Sequence, residues 1–500
     1  MELLRPQDAF YLYSDSATVQ QQVGGLALLD PSGRPGGPLR PEDVAAALAG
    51  RLHLLPRLRQ RLAVPPFGLA RAVWVDDERF DLRSHVHGVT LPAPAGRAEL
   101  SALVDRVMAA PLDRTRPLWE IHLVDRLDDG SQAMLLKLHH AIADGLGALR
   151  VAALLFDGAP DVPARAPQPW APRPAPGPLR LLAGAFGRQA VAPLRALARA
   201  GRRGLAAPGC SARRGRAILL GVWELARSGA AAPGPLNGPV GPARRVVLRE
   251  VPLERVRSIR DHFAVTVNDV VLTATLQALH QLHGAQATAG GPGRSRAARL
   301  LPRGRTRRRR AVAGGAARGG AESTLRVVIP VTLRPPERRS APGTWTGAIK
   351  VDLPAGPLTP VERLAAVRRC TLLAKASHQA VGAGFVLDVA GLWAPPWLHA
   401  KAARYAFRGH WFNLVVTALR GRASPAWLAG ARVVAAYPIL PLVNDLGLVV
   451  AALTWNGRLT LGLTADPELV PTVELLASAM VRCVEQLDEA AAAARRAAAR

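Results

Sequence analysis

The stretch Met134-Leu-Leu-Lys-Leu-His139-His140-Ala-Ile-Ala-Asp144-Gly145-Leu-Gly147 runs from an apolar strand into two histidines, crosses three small or apolar residues, and opens a helix at Asp-Gly. This order sets a polar cluster at the carboxyl end of a buried strand, where α/β proteins commonly form sites. An imidazole titrates near neutrality and can take a proton from a hydroxyl as that oxygen attacks. A nearby carboxylate can orient the ring or brace the backbone, and Gly145 permits a close approach or an unusual dihedral. On composition alone the same residues also suit a surface turn with incidental histidines. A metal site is disfavoured: neither histidine has a partner at i+4, and no other Cys or His is close in sequence.

Working outward, Ile121 to Val124 and Ala133 to Leu138 read as strands separated by the turn Asp128-Asp129-Gly130. Val23 to Leu29 is a further strand, closed by Asp30-Pro31-Ser32-Gly33, and Pro41-Glu42-Asp43 opens a helix over Val44 to Leu52. Leu146 to Phe156 has helical apolar spacing. Residues 1–160 therefore form a first α/β domain. Proline crowds 158–178, and 161–235 reads as a linker with crossover helices. There Arg188, Arg195, Arg199 and Arg202 share one stripe opposite Leu182, Phe186, Ala190, Leu194 and Leu197, with Pro193 expected to kink the segment. Such a helix suits an anionic bilayer or an inter-domain position with its arginines in water.

A second α/β domain spans 236–490, with strands at Arg245 to Leu248, Leu325 to Pro330, Ala348 to Leu353, Leu414 to Val416, Leu446 to Trp455 and Leu459 to Leu463. Asn456-Gly457 marks a hairpin between the last two. A final helix runs from Val470 to about Leu487 and fades into an Ala/Arg tail at 491–500. The stretch 284–320 has no acidic residue and contains Arg307-Arg308-Arg309-Arg310; it reads as a disordered basic insertion, able to meet RNA or acidic lipid or simply to sit in water.

At 500 residues, two domains are the natural expectation, and an apolar share of 49 % supports packed cores. The 65 basic residues outnumber 37 acidic ones for a net charge of +28, and only Lys137, Lys350, Lys375 and Lys401 are lysines. That excess can attract nucleic acid, anionic membrane or a polyanionic cofactor, or be a solvated surface with no dedicated partner. Cys210, Cys370 and Cys483 are too scattered for a zinc site or a disulfide framework, which fits a reducing cytosol. The start MELLRPQDAF has no signal-peptide apolar core, and no uncharged apolar run reaches the ~18 residues of a spanning helix.

His139-His140-Ala-Ile-Ala-Asp144-Gly145 resembles the HHxxxDG signature of the CoA-dependent acyltransferase superfamily, which includes chloramphenicol acetyltransferase and the condensation domains of peptide synthetases. Its surroundings resemble the bacterial wax ester synthase/diacylglycerol acyltransferase family: Pro117-Leu118-Trp119-Glu120 matches a PLW motif, and Leu236-Asn237-Gly238-Pro239 with Arg244-Arg245 an LNGP-RR motif. Val267-Asn268-Asp269-Val270-Val271-Leu272 matches an ND motif, and Pro330-Val331-Thr332-Leu333-Arg334, Leu428-Ala429-Gly430-Ala431 and Tyr437-Pro438 follow in family order. The likeness covers roughly residues 8–487.

The resemblance implies a two-domain α/β pseudo-dimer like chloramphenicol acetyltransferase, with mixed sheets and an inter-domain channel. It implies transfer of a fatty acyl group from acyl-CoA to diacylglycerol or a long-chain alcohol, giving triacylglycerol or wax ester. His140 would be the base; His139, Asp144 (ion-paired) and Gly145 would support it. Asn268 would hold the thioester oxygen, while Trp119, Leu118 and Asp269 would contact substrate. No metal or cofactor is expected, acyl-CoA being a co-substrate. The setting implied is cytoplasmic, peripheral on the inner membrane face or lipid droplets, with no specific nucleic acid. The chain departs from the family at Gln21-Gln22-Val23-Gly24, where Met-His-x-Gly is usual, and at Gly343-Thr344 in place of Gly-Asn. It departs again at Thr417-Ala418-Leu419-Arg420-Gly421-Arg422, in place of Ser-Asn-Val-Pro-Gly-Pro. A different acceptor within the same fold, or a catalytically silent lipid-binding paralogue, are the alternatives.

Overall fold

The computed structural model describes residues 2–163, 165–288, 324–332 and 346–499. The insertion expected at 284–320 lies outside the described residues from 289 onward, as does Gly343-Thr344; its start, 284–288, instead ends a helix.

The first half contains β1 (Glu2–Leu3), α1 (Pro6–Ser14), β2 (Gln22–Asp30), α2 (Pro41–Ala49), β3 (Gln60–Ala63), β4 (Val73–Asp76), β5 (Val86–Val89), α3 (Arg97–Ala109), β6 (Trp119–Val124), β7 (Gln132–His139) and α4 (Gly145–Leu155). Two long helices follow, α5 (Pro178–Ala206) and α6 (Pro208–Arg227). The second half begins with β8 (Arg245–Pro252), α7 (Leu253–Phe263), α8 (Val267–Thr288), β9 (Thr324–Thr332) and β10 (Thr346–Pro354). It continues with α9 (Pro360–Ala376), α10 (Gln379–Trp393), α11 (Pro396–Ala406), β11 (Leu414–Arg420), β12 (Trp427–Leu428), β13 (Ala431–Ile439), β14 (Leu448–Trp455), β15 (Arg458–Ala465) and α12 (Val473–Ala498).

Two six-stranded mixed sheets carry the two halves, in the orders β12-β13-β2-β7-β6-β5 and β10-β9-β11-β14-β15-β8; a three-stranded sheet, β1-β4-β3, flanks the first. The hairpin expected at Asn456-Gly457 is present, with φ of 40° and 78°, the paired positive values that suit a tight turn between right-twisted strands. Pro193 lies inside α5, whose helix continues through it. The expected alanine-rich tail is helix, because alanine is the best helix former and Leu487 and Ala491 are buried.

One crossing cuts through the expected domain division. β13, late in the chain, pairs antiparallel with β2 of the first half, Tyr437 opposite Leu26 and Ile439 opposite Gly24. Its alternate residues Ala431, Val433, Ala435 and Tyr437 are buried. At Gly462 of β15 an added Cβ would lie 1.8 Å from the Pro438 carbonyl oxygen, so only glycine lets the two sheets approach this closely. Thr460 Oγ1 seals the contact by donating to the Ala436 carbonyl at 2.6 Å. On the other side, α6 and α10 meet backbone to backbone, where a Cβ at Gly221 would fall 2.2 Å from the His378 carbonyl oxygen. The two sheets are thus locked together at β13 and β15, and the crossover helix α6 is locked to α10, both of which line the largest of the apolar chambers described below.

Candidate active site

β7 is buried along its whole length, so the position of its last residue is set by packing on both faces. The peptide N–H groups beyond it are tied as well: His139 N–H donates to the Leu118 carbonyl (2.9 Å) and His140 N–H to the Gln21 carbonyl (2.8 Å). The two histidines then part company. His139 Nε2 lies 3.0 Å from Asp15 Oδ2, and its Nδ1 accepts from the Ala141 N–H at 3.0 Å. An acceptor at Nδ1 requires the proton on Nε2, so the ring donates to Asp15 and both nitrogens are spent. Asp15 is fixed in turn by the Gln21 N–H at 2.7 Å and by Arg114 at 2.6 Å. His139 is a bracket between α1 and β7.

His140 instead stacks on Tyr11, with ring centroids 3.7 Å apart and planes 12° from parallel. It lines a cavity of about 510 Å³ together with Gln21, Lys350, Phe407, Trp411 and Leu440. Burial pushes its pKa from 6.5 down to about 4, against the opposing pull of Asp144. At neutral pH the ring is therefore neutral and retains a lone pair. Burial, with Asp144 and Asp8 nearby, holds the Tyr11 phenol protonated well above its ordinary range. Lys350 reaches the same chamber beside Trp411 (5.1 Å from the ring) and Ser228 Oγ (3.3 Å), and burial lowers its pKa.

Asp144 is the N-cap of α4: extended at φ −74°, ψ 179°, it accepts from the Gly147 N–H at 2.8 Å. Gly145 starts the helix, and a Cβ there would make ordinary contact with Leu419 of the second half at 3.4 Å.

Where a continuous channel is expected, the structure has three separate cavities that share wall residues. Leu440 separates the His140 chamber from a narrow apolar passage of about 80 Å³ lined by Gly24, Gly25, Leu136 and Gly145. Leu419 and Trp455 separate that passage from a third cavity of about 480 Å³. Asn268 lies on the third cavity, in the first turn of α8. It does not face His140 across one chamber, since the two residues line different cavities.

Three residues expected to contact substrate do other work. Asp269 is completely buried, accepting from Thr266 N–H (2.8 Å), Thr266 Oγ1 (2.7 Å) and Thr371 Oγ1 (2.7 Å), with Arg368 3.5 Å away. It pins α8 to α9. Leu118 and Trp119 are each 1 % exposed in the first core. Trp119 stacks on His85 at 4.4 Å and donates its indole N–H to the Leu58 carbonyl at 2.8 Å. What this pair offers the site is the Leu118 carbonyl that holds the His139 peptide. Sequence reasoning overlooked Tyr11, Asp15, Lys350 and Trp411, which lie far from the histidines along the chain; no local pattern marks them. Among the described residues, no group of three or more His, Cys, Asp or Glu side chains is placed to hold a metal ion.

The family model described as the wax ester synthase/diacylglycerol acyltransferase catalytic domain matches residues 4–271, and that of the family's C-terminal domain matches 342–488. A Mycobacterium bovis protein named as a diacylglycerol O-acyltransferase is 30 % identical over 96 % of this chain and 89 % of its own length. A Mycobacterium tuberculosis protein of the same name is 27 % identical over 98 % and 90 %. In structure, the wax ester synthase/diacylglycerol acyltransferase of Marinobacter aquaeolei aligns with a TM-score of 0.62 at 22 % identity, covering 98 % of this chain and all of that one (100 %). The first condensation domain of the calcium-dependent antibiotic synthetase aligns at 0.60 and 17 %, over 98 % and 96 %, which speaks to fold. The chain belongs to the wax ester synthase/diacylglycerol acyltransferase family, and is an acyltransferase.

Proposed function

We propose that this acyltransferase moves a fatty acyl group from acyl-CoA to the hydroxyl of diacylglycerol or a long-chain alcohol, with His140 as the general base. The observation that carries this reading is a neutral imidazole, fixed by a strand end and a stacked tyrosine, at the wall of an apolar chamber. His140 takes the acceptor's proton while the alcohol oxygen attacks the thioester carbon. The tetrahedral oxyanion collapses, the CoA thiolate leaves, and that thiolate recovers the proton from His140. No acyl-enzyme is formed and no metal or cofactor enters the sequence of steps. His139, Asp15 and Asp144 position the base; Asn268, on the far cavity, has no direct part in the step as written.

The acceptor reaches the chamber from a lipid surface. Helices α6 and α10 wall the chamber through Val222, Leu225 and Leu387, and the same helical layer exposes Phe186, Leu197, Leu219, Trp223 and Trp397 outward. Arg195 and Arg199 are exposed on α5. A layer that is apolar on the outside with cations beside it suits peripheral contact with an anionic membrane face or a lipid droplet. Among the described residues no helix is long and apolar enough to cross a membrane.

Incubating the protein with labelled palmitoyl-CoA and either diacylglycerol or hexadecanol, then separating lipids by thin-layer chromatography, tests the reading. Label should pass into triacylglycerol or wax ester, and His140→Ala should abolish it. Retention of most activity in that variant rejects the assigned base. Trp223→Asp with Trp397→Asp should release the protein from vesicles containing anionic lipid.

A further inference from the structure

The third cavity is chemically unlike the other two. Arg257 and Arg260 reach it from α7, Arg420 and Arg422 from the end of β11 and the turn beyond, and no carboxylate is among its described lining residues. Arg260 is already engaged with Asp261 at 2.7 Å, and Arg422 Nε donates to Ser424 Oγ at 3.0 Å. Arg257 and Arg420 are exposed and make no ion pair among the described residues. Like charges gathered around one space repel, so such a cluster raises the local affinity for an anion. Two of the four arginines come from the stretch where this chain departs from its family's usual Val-Pro-Gly-Pro. Only two side chains stand between this cavity and the next: Leu419 and Trp455 line both it and the small apolar cavity, which shares Leu440 with the His140 chamber.

We infer that Arg257, Arg420 and Arg422 form a docking mouth for the phosphate-bearing end of coenzyme A, from which the pantetheine arm enters past Leu419 and Trp455. This rests on the acyl-transfer reading above and assigns the residues that select its donor. Guanidinium groups match phosphate oxygens in planar paired hydrogen bonds, and an arginine-only cluster keeps its charge at any physiological pH. The volume of about 480 Å³ falls in the range of small-molecule sites. Asn268 and Thr266, at the start of α8, add polar groups at the same mouth.

The test is read first without turnover. Calorimetric titration of 3′,5′-adenosine bisphosphate, the phosphate-bearing fragment alone, should show binding to the wild type and to His140→Ala that weakens with added salt. Arg257→Ala/Arg420→Ala should bind it at least tenfold more weakly, whereas Arg83→Ala, exposed and away from the cavity, should bind as the wild type does. In turnover, the wild type's preference for palmitoyl-CoA over palmitoyl-pantetheine, as a ratio of kcat/KM, should fall at least tenfold in the double variant. Unchanged bisphosphate affinity in the double variant overturns the proposal. So does an equal loss on both thioesters, or displacement of the bisphosphate by anionic vesicles but not by CoA. If the bisphosphate binds as expected and no acyl transfer is seen to any acceptor, the acyl-transfer reading fails while the mouth stands.

Discussion

The two end cavities differ in almost every physical respect. At one end His140 sits in an apolar chamber of about 510 Å³ beneath helices that turn apolar faces outward; at the other, four arginines surround about 480 Å³ with no described carboxylate. A passage of about 80 Å³ lies between. Two cavities of such unlike solvent character suit two unlike ligands, one apolar and one anionic. On the proposed acyl transfer, the apolar surface serves the lipid, the positive charge serves the polyanion, and the two meet at His140.

The largest expected effect lies at the meeting point. His140→Ala should lower kcat by about 10²–10⁴-fold, the usual worth of a positioned general base; a smaller loss would move the chemistry elsewhere. Next comes the bracket behind it. Asp15→Ala leaves the buried His139 N–H without its acceptor, which should cost about 1–3 kcal/mol of stability in chemical denaturation, and Asp15→Asn should restore part of this. A cost near zero would mean that the bracket is slack.

The pH dependence separates the two ends again. The depressed pKa of His140 keeps the base unprotonated, so activity should stay level from pH 8 through 6.5 and fall only toward about 4. The arginine end does not titrate in that window. The sign for stability follows: between about 4 and 6.5 the unfolded chain binds the proton that the folded ring refuses, so this contribution is present above 6.5 and is lost as pH falls to about 4. An activity profile breaking at 6.5 would contradict the buried, neutral ring.

Smaller effects should sharpen the picture. Tyr11→Phe preserves the stacked ring and should keep kcat within about twofold, whereas Tyr11→Ala removes about 1 kcal/mol of aromatic contact and should lower kcat several-fold at unchanged acyl-CoA KM. Asp144→Ala should cost about 1 kcal/mol through loss of the α4 cap, visible in the melting temperature.

Much of the fold was legible because its signals are local. Strand β7 is an apolar run, Asn456-Gly457 can make only a tight turn between two such runs, and Asp144 caps a helix by reaching three residues forward. The helices α10 and α11 and the strand β13 were not anticipated. α10 (QAVGAGFVLDVAGLW) is apolar around most of its circumference and so lacks a helical period. β13 was missed because its partner, β2, lies some four hundred residues away.

The same division runs through the site. Two histidines ending a buried strand and an aspartate capping the helix after them are legible in the chain's local order, since neighbours along the backbone are neighbours in space. Only the tertiary structure decided that His139 is spent on Asp15 while His140 rests on Tyr11 and faces a chamber. It alone placed Trp119 and Asp269 in packed interior, and Asn268 on the arginine-lined cavity. The reason is that a side chain's role depends on what meets its polar atoms, and here those partners arrive from α1, α9 and the second sheet, at distances along the chain that no local pattern spans.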